Sequence, residues 1–174
     1  MNNKKALITG ITGMVGSHLL DFLLENTDWE IYGFLRWNDS LENIEHLSSE
    51  INDNNRIKLI YGDLNDLSSL ISAVEESNPD YVFHLAAQSY PQTSFSAPLE
   101  TLETNILGTT KLLEALRKHT QNRKKTGLQC IPPYNPSIHI CASSEVFGRV
   151  PKECLPINEE CKFHPASPYA ISKA

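Results

Sequence analysis

The sequence lacks several features that would assign it to common classes of protein. It has no apolar run near the roughly 18 residues that a membrane-spanning helix needs. Its first residues, MNNKKALITG, lead straight into a strand pattern and leave no room for a signal peptide. Positive charge is not in excess, because the formal net charge is −6, which argues against nucleic acid or an anionic membrane as a partner. We therefore expect a cytoplasmic protein that binds neither.

The four cysteines show neither a metal-binding nor a redox spacing. Cys130, Cys141, Cys154 and Cys161 include no C-x-x-C pair, which is typical of ordinary thiols in a reducing compartment. We predict no metal site from them. A chain of 174 residues can bury one good core and suits a single domain.

Residues 5–24, KALITGITGMVGSHLLDFLL, combine a short strand, a glycine turn and a helix. Residues 6–8 are an apolar run bounded by glycine, and leucines follow at helical spacing. Gly10, Gly13 and Gly16 lie between them. The first permits a turn with φ > 0, the second lets the backbone approach a diphosphate, and the third lets the helix pack closely. The spacing differs from the common G-x-G-x-x-G, so a turn without a nucleotide stays open from this stretch alone.

Strand and helix patterns alternate along the rest of the chain. Further strands are predicted at residues 30–36, 56–61, 81–85 and 138–141, with helices at 40–47, after the cap Asp66, and from 98 to about 119. The apolar face of the longest helix is predicted to contain Leu102, Ile106, Leu112, Leu113 and Leu116. Residues 117–136 are predicted to be a long connection whose basic residues 123–125 are a solvated charge run. Repeated βα units predict an α/β fold: a Rossmann-like, doubly wound parallel sheet with ligands beyond the carboxyl ends of its strands.

Polar and small residues follow several of these strands. Arg36 lies about 20 residues after Gly16, where an acidic residue would bind the adenosine ribose of NAD. An arginine suits the 2′-phosphate of NADP instead, although the nearby Asp39 and a solvated role for Arg36 leave NAD open. Asp63 could place a carboxylate near the adenine, or it could simply stabilise a turn. Residues 86–89, AAQS, are small where the backbone must run close to a flat ligand.

The last strand end and the final helix carry candidate chemistry. Residues 143–145, Ser-Ser-Glu, put two hydroxyls and a carboxylate at the end of the predicted fifth strand. Ser167 and Pro168 suit the start of a helix on which Tyr169 and Lys173 share one face. A phenol has a pKa of about 10, so a tyrosine base working near neutrality needs a shift of roughly 3 units. The lysine ammonium and the helix start would both favour that phenolate.

In combination these motifs resemble the extended short-chain dehydrogenase/reductases, the NAD-dependent epimerases and dehydratases that modify nucleotide sugars. The resemblance rests on the segments TGITGMVG, DL, HLAAQS, TNILGT, SSEVFG and the Tyr169-x-x-x-Lys173 pair, and it covers almost the whole chain. Within that family the sequence is most similar to the GDP-mannose 4,6-dehydratases, through GITGMVGSHLLDFLL, IKLIYGDLNDLSSL and AAQSYPQTSF. The resemblance implies an N-terminal Rossmann domain over residues 1–174.

The resemblance also implies three sets of site residues. The catalytic set is the triad Ser143, Tyr169 and Lys173, with Glu145 as an additional acid/base group. The cofactor-binding set is Gly10, Thr12, Gly13, Met14, Val15, Gly16, Arg36, Asp63, Leu64, Leu85, Ala86, Ala87, Tyr169 and Lys173. The substrate-binding set is Gln88, Ser89, Ser143 and Ser144. The dehydratases usually have threonine where this chain has Ser143, and either residue supplies the hydroxyl.

The reaction that the resemblance implies is redox-neutral. It would convert GDP-mannose to GDP-4-keto-6-deoxymannose with a tightly bound NADP, with NAD as a possible substitute, in a homo-oligomer. A UDP-glucuronate decarboxylase shares the Ser-x-Glu-Val-aromatic-Gly segment, and a 4-epimerase needs only the triad, so both stay open. The family's substrate domain would follow residue 174, so a nucleotide-binding fragment without activity also stays open. We expect residues 1–174 alone to bind nucleotide weakly, to self-associate and to turn over no nucleotide sugar.

Overall fold

Five strands form one parallel sheet in the order β3-β2-β1-β4-β5. The structure is a computed structural model that describes residues 3–53, 56–125 and 134–174. The strands are β1 (Lys5–Thr9), β2 (Glu30–Leu35), β3 (Ile57–Tyr61), β4 (Tyr81–His84) and β5 (Ser137–Ile140). Each lies within one residue of its predicted bounds. The predicted Rossmann-like sheet is therefore confirmed.

Helical segments connect the strands. They are α1 (Met14–Asn26), a 3₁₀ helix (Glu42–Leu47), α2 (Ser48–Asp53), α3 (Leu67–Ser77), α4 (Pro91–Ser96), α5 (Pro98–Leu102), a π-helical turn (Glu103–Leu107), α6 (Gly108–Lys125), 3₁₀ helices at Ser144–Phe147 and Lys152–Cys154, and α7 (Pro168–Lys173). Asp66 caps α3 as predicted, because its carboxylate accepts hydrogen bonds from the backbone N–H groups of Ser68 and Ser69. The predicted helix at residues 40–47 begins two residues later and continues as α2.

The longest helical pattern begins at Pro98 as predicted but differs from its prediction in its interior and at its C-terminal end. It is interrupted by the π-helical turn, and it continues to Lys125, well beyond residue 119. The prediction of a loop from residue 117 is therefore wrong as far as residue 125, and residues 126–133, including Cys130, lie outside the described part. Two contacts explain the extension: Arg117 pairs with Glu114 at 2.7 Å, and Arg123 Nη1 donates to Asn78 Oδ1 at 2.6 Å, at the end of α3.

The buried face of this helical region is more polar than predicted. Ile106 and Leu113 are 41% and 37% exposed, so their prediction as core residues is wrong. Thr101 and Asn105 are buried instead, on the same face as Leu112. The prediction placed only apolar residues on the buried face. The structure buries two polar residues there as well, and these need hydrogen bonds within the protein.

Apolar residues cover both faces of the sheet. Alternate residues of β1 divide between them: Leu7 packs with α3 and α6, whereas Ala6 and Ile8 pack with α1 and the 3₁₀ helix that begins at Glu42. The connection after β3 crosses from one edge of the sheet to the other side of β1, so the strand order reverses between β1 and β4. Such a switch point leaves a crevice at the carboxyl ends of the two strands.

β5 forms an edge of the described sheet. It pairs with β4, and all four of its residues are exposed, including Ile138 and Ile140. An edge of this kind leaves backbone groups that can pair with a further strand. Within the described residues, no helix has the length and apolar character to cross a membrane.

Candidate active site

A cleft of about 550 Å³ opens at the switch point of the sheet. Eleven of the predicted site residues line it: Gly10, Thr12, Gly13, Arg36, Asp63, Leu64, Leu85, Ala86, Ala87, Gln88 and Ser89. They come from the ends of β1, β2, β3 and β4, so residues far apart in the sequence meet at one edge of the sheet. Further lining residues that the sequence did not single out include Ser40, Glu42, Asn43, Asn65 and Thr104.

The glycine turn fits tightly between its neighbours. Gly10 has φ +74, and a Cβ there would lie 2.9 Å from the backbone Cα of Ala86. A Cβ on Gly16 would overlap the carbonyl oxygen of Gly10, so the third glycine lets α1 pack against the turn. Gly13 precedes α1 and has no side chain to bond the first N–H groups of that helix. The turn thus presents bare backbone and a helix start to the cleft, which suits a phosphate.

The first turn of α1 contains three predicted cofactor residues that are not among those lining the cleft. Met14 and Val15 are 71% and 53% exposed, and Gly16 is buried against Gly10. Their backbone N–H groups, more than their side chains, are the groups that could contact a phosphate.

Arg36 and Asp39 form an ion pair at the end of β2. Arg36 Nε and Nη2 lie 3.0 and 2.9 Å from Asp39 Oδ1, and the backbone N–H of Arg36 donates to Asp39 Oδ2 at 2.9 Å. Both residues line the cleft. Asp63 also lines it, and its Oδ1 accepts the backbone N–H of Asn65 at 2.8 Å, so the turn role predicted for Asp63 is observed.

The predicted catalytic residues lie around the end of β5 and are not among the residues that line the cleft. Lys173 Nζ donates a hydrogen bond of 3.0 Å to the carbonyl oxygen of Cys141, and burial lowers the pKa of its ammonium. Ser167 caps α7, and its hydroxyl lies 3.4 Å from Glu145 Oε2. Ser143 caps the 3₁₀ helix by accepting the N–H of Glu145 at 3.2 Å. Short polar contacts thus attach α7 to the strand end and the loop that follows it.

A chain of hydrogen bonds links the ends of β1 and β4 to the start of α6. Thr9 Oγ1 lies 2.8 Å from His84 Nδ1, and Thr109 Oγ1 lies 2.9 Å from His84 Nε2. Thr109 donates its hydroxyl hydrogen to the carbonyl of Asn105 at 2.6 Å, and Thr9 accepts the N–H of Ala86 at 3.2 Å. Thr109 gives its one hydroxyl hydrogen to Asn105, so it can only accept a hydrogen bond from His84. We therefore assign the proton of neutral His84 to Nε2, which leaves Nδ1 to accept from the Thr9 hydroxyl. Burial and then the charge of Lys173 lower the pKa of His84 to about 4.

Asn105 connects the cleft to α7. Its Oδ1 accepts the backbone N–H of Gln88 at 2.8 Å, and its Nδ2 donates to the carbonyl of Gln88 at 3.0 Å and to Ser172 Oγ at 2.8 Å. Ser172 in turn donates to the carbonyl of Tyr169 at 2.7 Å. Asn105 is 4% exposed. The sequence contains no signal for this role of Asn105, because the predicted apolar face did not include it and its partners are far away in the sequence.

Gln88 carries one buried acceptor that the described residues leave unsatisfied. Its Nε2 donates to the carbonyl of Tyr90 at 3.1 Å, but its Oε1 is buried and finds no partner there. A buried acceptor without a hydrogen bond costs free energy. In the same described residues, no cluster of three histidine, cysteine or acidic side chains could hold a metal ion.

Comparison with known proteins gives consistent relatives. A sequence model of the GDP-mannose 4,6 dehydratase family matches residues 7–174. The GDP-mannose 4,6-dehydratase of Yersinia enterocolitica is 38% identical over 173 residues, which cover 98% of this chain and 43% of that protein. The chain therefore spans less than half the length of this relative.

Two solved structures share the fold. RMD from Pseudomonas aeruginosa, in complex with NADPH, is 30% identical with a TM-score of 0.66, over 98% of this chain and 46% of that one. The UDP-glucose 4-epimerase of Thermus thermophilus, in complex with NAD, is 28% identical with a TM-score of 0.71, over 97% and 47%. Because the family model matches nearly all of the sequence, the chain belongs to the GDP-mannose 4,6-dehydratase family.

Proposed function

We propose that this chain is the cofactor-binding part of a nucleotide-sugar 4,6-dehydratase that converts GDP-mannose to GDP-4-keto-6-deoxymannose. The observation that carries the proposal is a cleft lined by the glycine turn, with Glu145 and the capped Tyr-x-x-x-Lys helix in contact with each other after β5, in a chain of this family. The relatives named GDP-mannose 4,6-dehydratase support the substrate and the reaction.

The residues of the cleft fit a dinucleotide. Gly10 and Gly13 would hold the diphosphate, Arg36 the 2′-phosphate of NADP, and Asp63 with Leu64 the adenine. The close approach of Gly10 to Ala86 supports this fit, since a side chain on Gly10 would collide with the backbone of Ala86. Leu85, Ala86 and Ala87 would line the path toward the nicotinamide. We take NADP as the cofactor and keep NAD as a substitute, because one similar structure holds NADPH and another holds NAD.

The chain's own side chains would move the protons of the reaction. Tyr169 would take the proton of the sugar 4-hydroxyl, with Lys173 one helical turn away to favour the phenolate. Ser143 would donate a hydrogen bond to the same oxygen. Glu145 would remove the proton from C5, which the new 4-ketone acidifies, and the proton taken by Tyr169 would leave with the 6-hydroxyl as water. When bound, the nicotinamide would accept a hydride from C4 and return it to C6, while Glu145 would give its proton back to C5, so no net oxidation occurs.

Gln88 Oε1 and the hydroxyls of Ser89 and Ser144 would bind the sugar. The position of Gln88 and Ser89 in the wall of the cleft supports this role. The same proposal includes a cytoplasmic location and a homo-oligomeric complete protein. The free thiols of Cys141, Cys154 and Cys161 are compatible with that location.

The test is turnover of nucleotide sugars by the complete protein that carries residues 1–174. Incubation with GDP-mannose should give a product lighter by one water, identified by mass spectrometry. Loss of carbon dioxide from UDP-glucuronate would instead identify a decarboxylase, and an unchanged mass with an inverted C4 an epimerase. Residues 1–174 expressed alone provide the comparison, and we expect no turnover from them.

A further inference from the structure

The side chain of Asp39 is engaged by Arg36 on both of its oxygens. Oδ1 accepts from Arg36 Nε at 3.0 Å and lies 2.9 Å from Arg36 Nη2, while Oδ2 accepts the backbone N–H of Arg36 at 2.9 Å. The backbone N–H of Asp39 also donates to the carbonyl of Arg36 at 3.2 Å. The two residues thus close a turn at the end of β2. Each of these contacts of Asp39 is with Arg36.

The two partners differ in exposure. The Arg36 side chain is 63% exposed and that of Asp39 is 18% exposed. The carboxylate is therefore the fixed part of the pair, and it holds the guanidinium at the edge of the cleft. A carboxylate that binds ribose hydroxyls directs its oxygens at the ligand, whereas the contacts with Arg36 occupy three of the roughly four acceptor sites of Asp39.

The rest of the cleft offers little positive charge. Among the described residues that line it, Arg36 is the one cation, and four carboxylates accompany it: Asp39, Glu42, Asp63 and Glu100. A 2′-phosphate entering the cleft would meet an arginine whose charge Asp39 already balances. NAD lacks that phosphate, so the charge balance between Arg36 and Asp39 should have little effect on its affinity.

We propose that Asp39 sets the cofactor choice of this chain by holding Arg36 in a neutral pair. This inference rests on the proposed binding of NADP or NAD in the cleft. The pair makes NADP and NAD bind with affinities within about tenfold of each other, since the attraction of Arg36 for the 2′-phosphate is offset by the neighbouring carboxylate. Removal of the carboxylate charge converts the cleft to one that selects NADP.

The test introduces Asp39→Asn into the complete protein that carries residues 1–174 and compares it with the unaltered complete protein by calorimetric titration of NADP and NAD. Asparagine keeps an oxygen that can accept from Arg36 and removes the charge. The dissociation constant for NADP should fall by about tenfold, the scale of one charge interaction near a surface, whereas that for NAD should stay within about twofold. Asp39→Ser provides a second variant with an accepting oxygen, and thermal unfolding shows that each variant is folded.

Two controls distinguish the effect of the Arg36 pair from the effect of the overall charge of the cleft. Glu42→Gln removes an equal charge from the same cleft and should change the NADP constant by less than about threefold, because no contact to Arg36 is lost. In an Arg36→Ala background, Asp39→Asn should lose most of its effect. Equal gains from Glu42→Gln, or a full gain without Arg36, would overturn the proposal. So would an unchanged NADP constant in Asp39→Asn. Failure of every variant to bind either cofactor would contradict the proposed function itself, and this inference with it.

Discussion

Asn105 in the π-helical turn donates a hydrogen bond of 2.8 Å to the hydroxyl of Ser172, in the short helix that carries Tyr169 and Lys173. The same side chain holds Gln88 at the cleft through two further hydrogen bonds. A helix of six residues cannot maintain itself by its own hydrogen bonds. Its position therefore depends on this contact, on the Ser167 cap and on the contact of Lys173 with Cys141.

Asn105→Ala should destabilise the fold substantially. It removes three hydrogen bonds and leaves the half-buried N–H and carbonyl of Gln88 without their partner, which together should cost about 2–4 kcal/mol in the free energy of unfolding. Urea denaturation measures the loss. Thr110→Ala is the matched control, because Thr110 lies five residues away, is exposed and bonds only a carbonyl of its own helix. That control should change the free energy by less than about 0.5 kcal/mol. Equal effects of the two substitutions would contradict the bracing role of Asn105.

His84 should make stability depend on pH below neutrality. Its pKa falls to about 4 in the folded protein, against 6.5 for an ordinary histidine. Between pH 6.5 and about pH 4, the unfolded chain binds a proton at His84 that the folded chain does not bind. The folded state therefore loses stability as the pH falls through that window. The loss from this group should approach about 3 kcal/mol at pH 4.

Urea denaturation of the unaltered chain and of His84→Gln at several pH values isolates the effect. The difference between them should shrink as the pH falls from 7 to 4, because glutamine does not titrate. His139→Gln, which alters an exposed histidine in β5, should follow the unaltered chain. A difference that stays constant with pH would show that His84 does not carry this dependence.

The strands and the glycine turn were predictable because local signals and the tertiary structure agree there. Short apolar runs, the spacing of Gly10, Gly13 and Gly16, and the Asp66 cap each act over a few residues. The role of Asn105 was not predictable in the same way, because its three hydrogen bonds go to Gln88 and Ser172, which lie 17 and 67 residues away in the sequence. The extension of α6 to Lys125 depends likewise on Asn78, a residue of another helix end. Long-range polar contacts leave no periodic pattern in the sequence.

Gly13 and Gly16 should respond differently to alanine. On Gly16 the added methyl group would overlap the carbonyl of Gly10 and lie 2.8 Å from Ile11 Cα, so the fold should lose about 2 kcal/mol or more. On Gly13, where φ is −72, the methyl would lie 3.3 Å from the carbonyl oxygen of Gly10, a tight contact that a small shift relieves, so the fold should lose less stability than with Gly16→Ala. The Gly13 methyl would nevertheless occupy the wall of the cleft.

Calorimetric titration with NADP and thermal unfolding together test this contrast. Gly13→Ala should unfold near the temperature of the unaltered chain and bind NADP at least about tenfold more weakly, because the backbone can no longer approach the diphosphate. Gly16→Ala should instead unfold at a clearly lower temperature than the unaltered chain. Undiminished NADP binding by Gly13→Ala would show that the diphosphate does not lie against this turn.

Glu145→Gln tests the proposed second base in the complete protein. Glutamine keeps the shape of the side chain and can still accept from Ser167, which lies 3.4 Å from the carboxylate. Removal of a general base typically slows a reaction by about 10²–10⁴, so dehydration of GDP-mannose should slow by that factor. Oxidation at C4 does not need Glu145, so absorbance of reduced nicotinamide should accumulate after substrate is added. Glu153→Gln changes an exposed carboxylate of the same loop and should leave both signals as they are. Normal dehydration by Glu145→Gln, with no accumulated absorbance, would leave Glu145 as a strand-end carboxylate that bonds the cap of α7 and removes no proton.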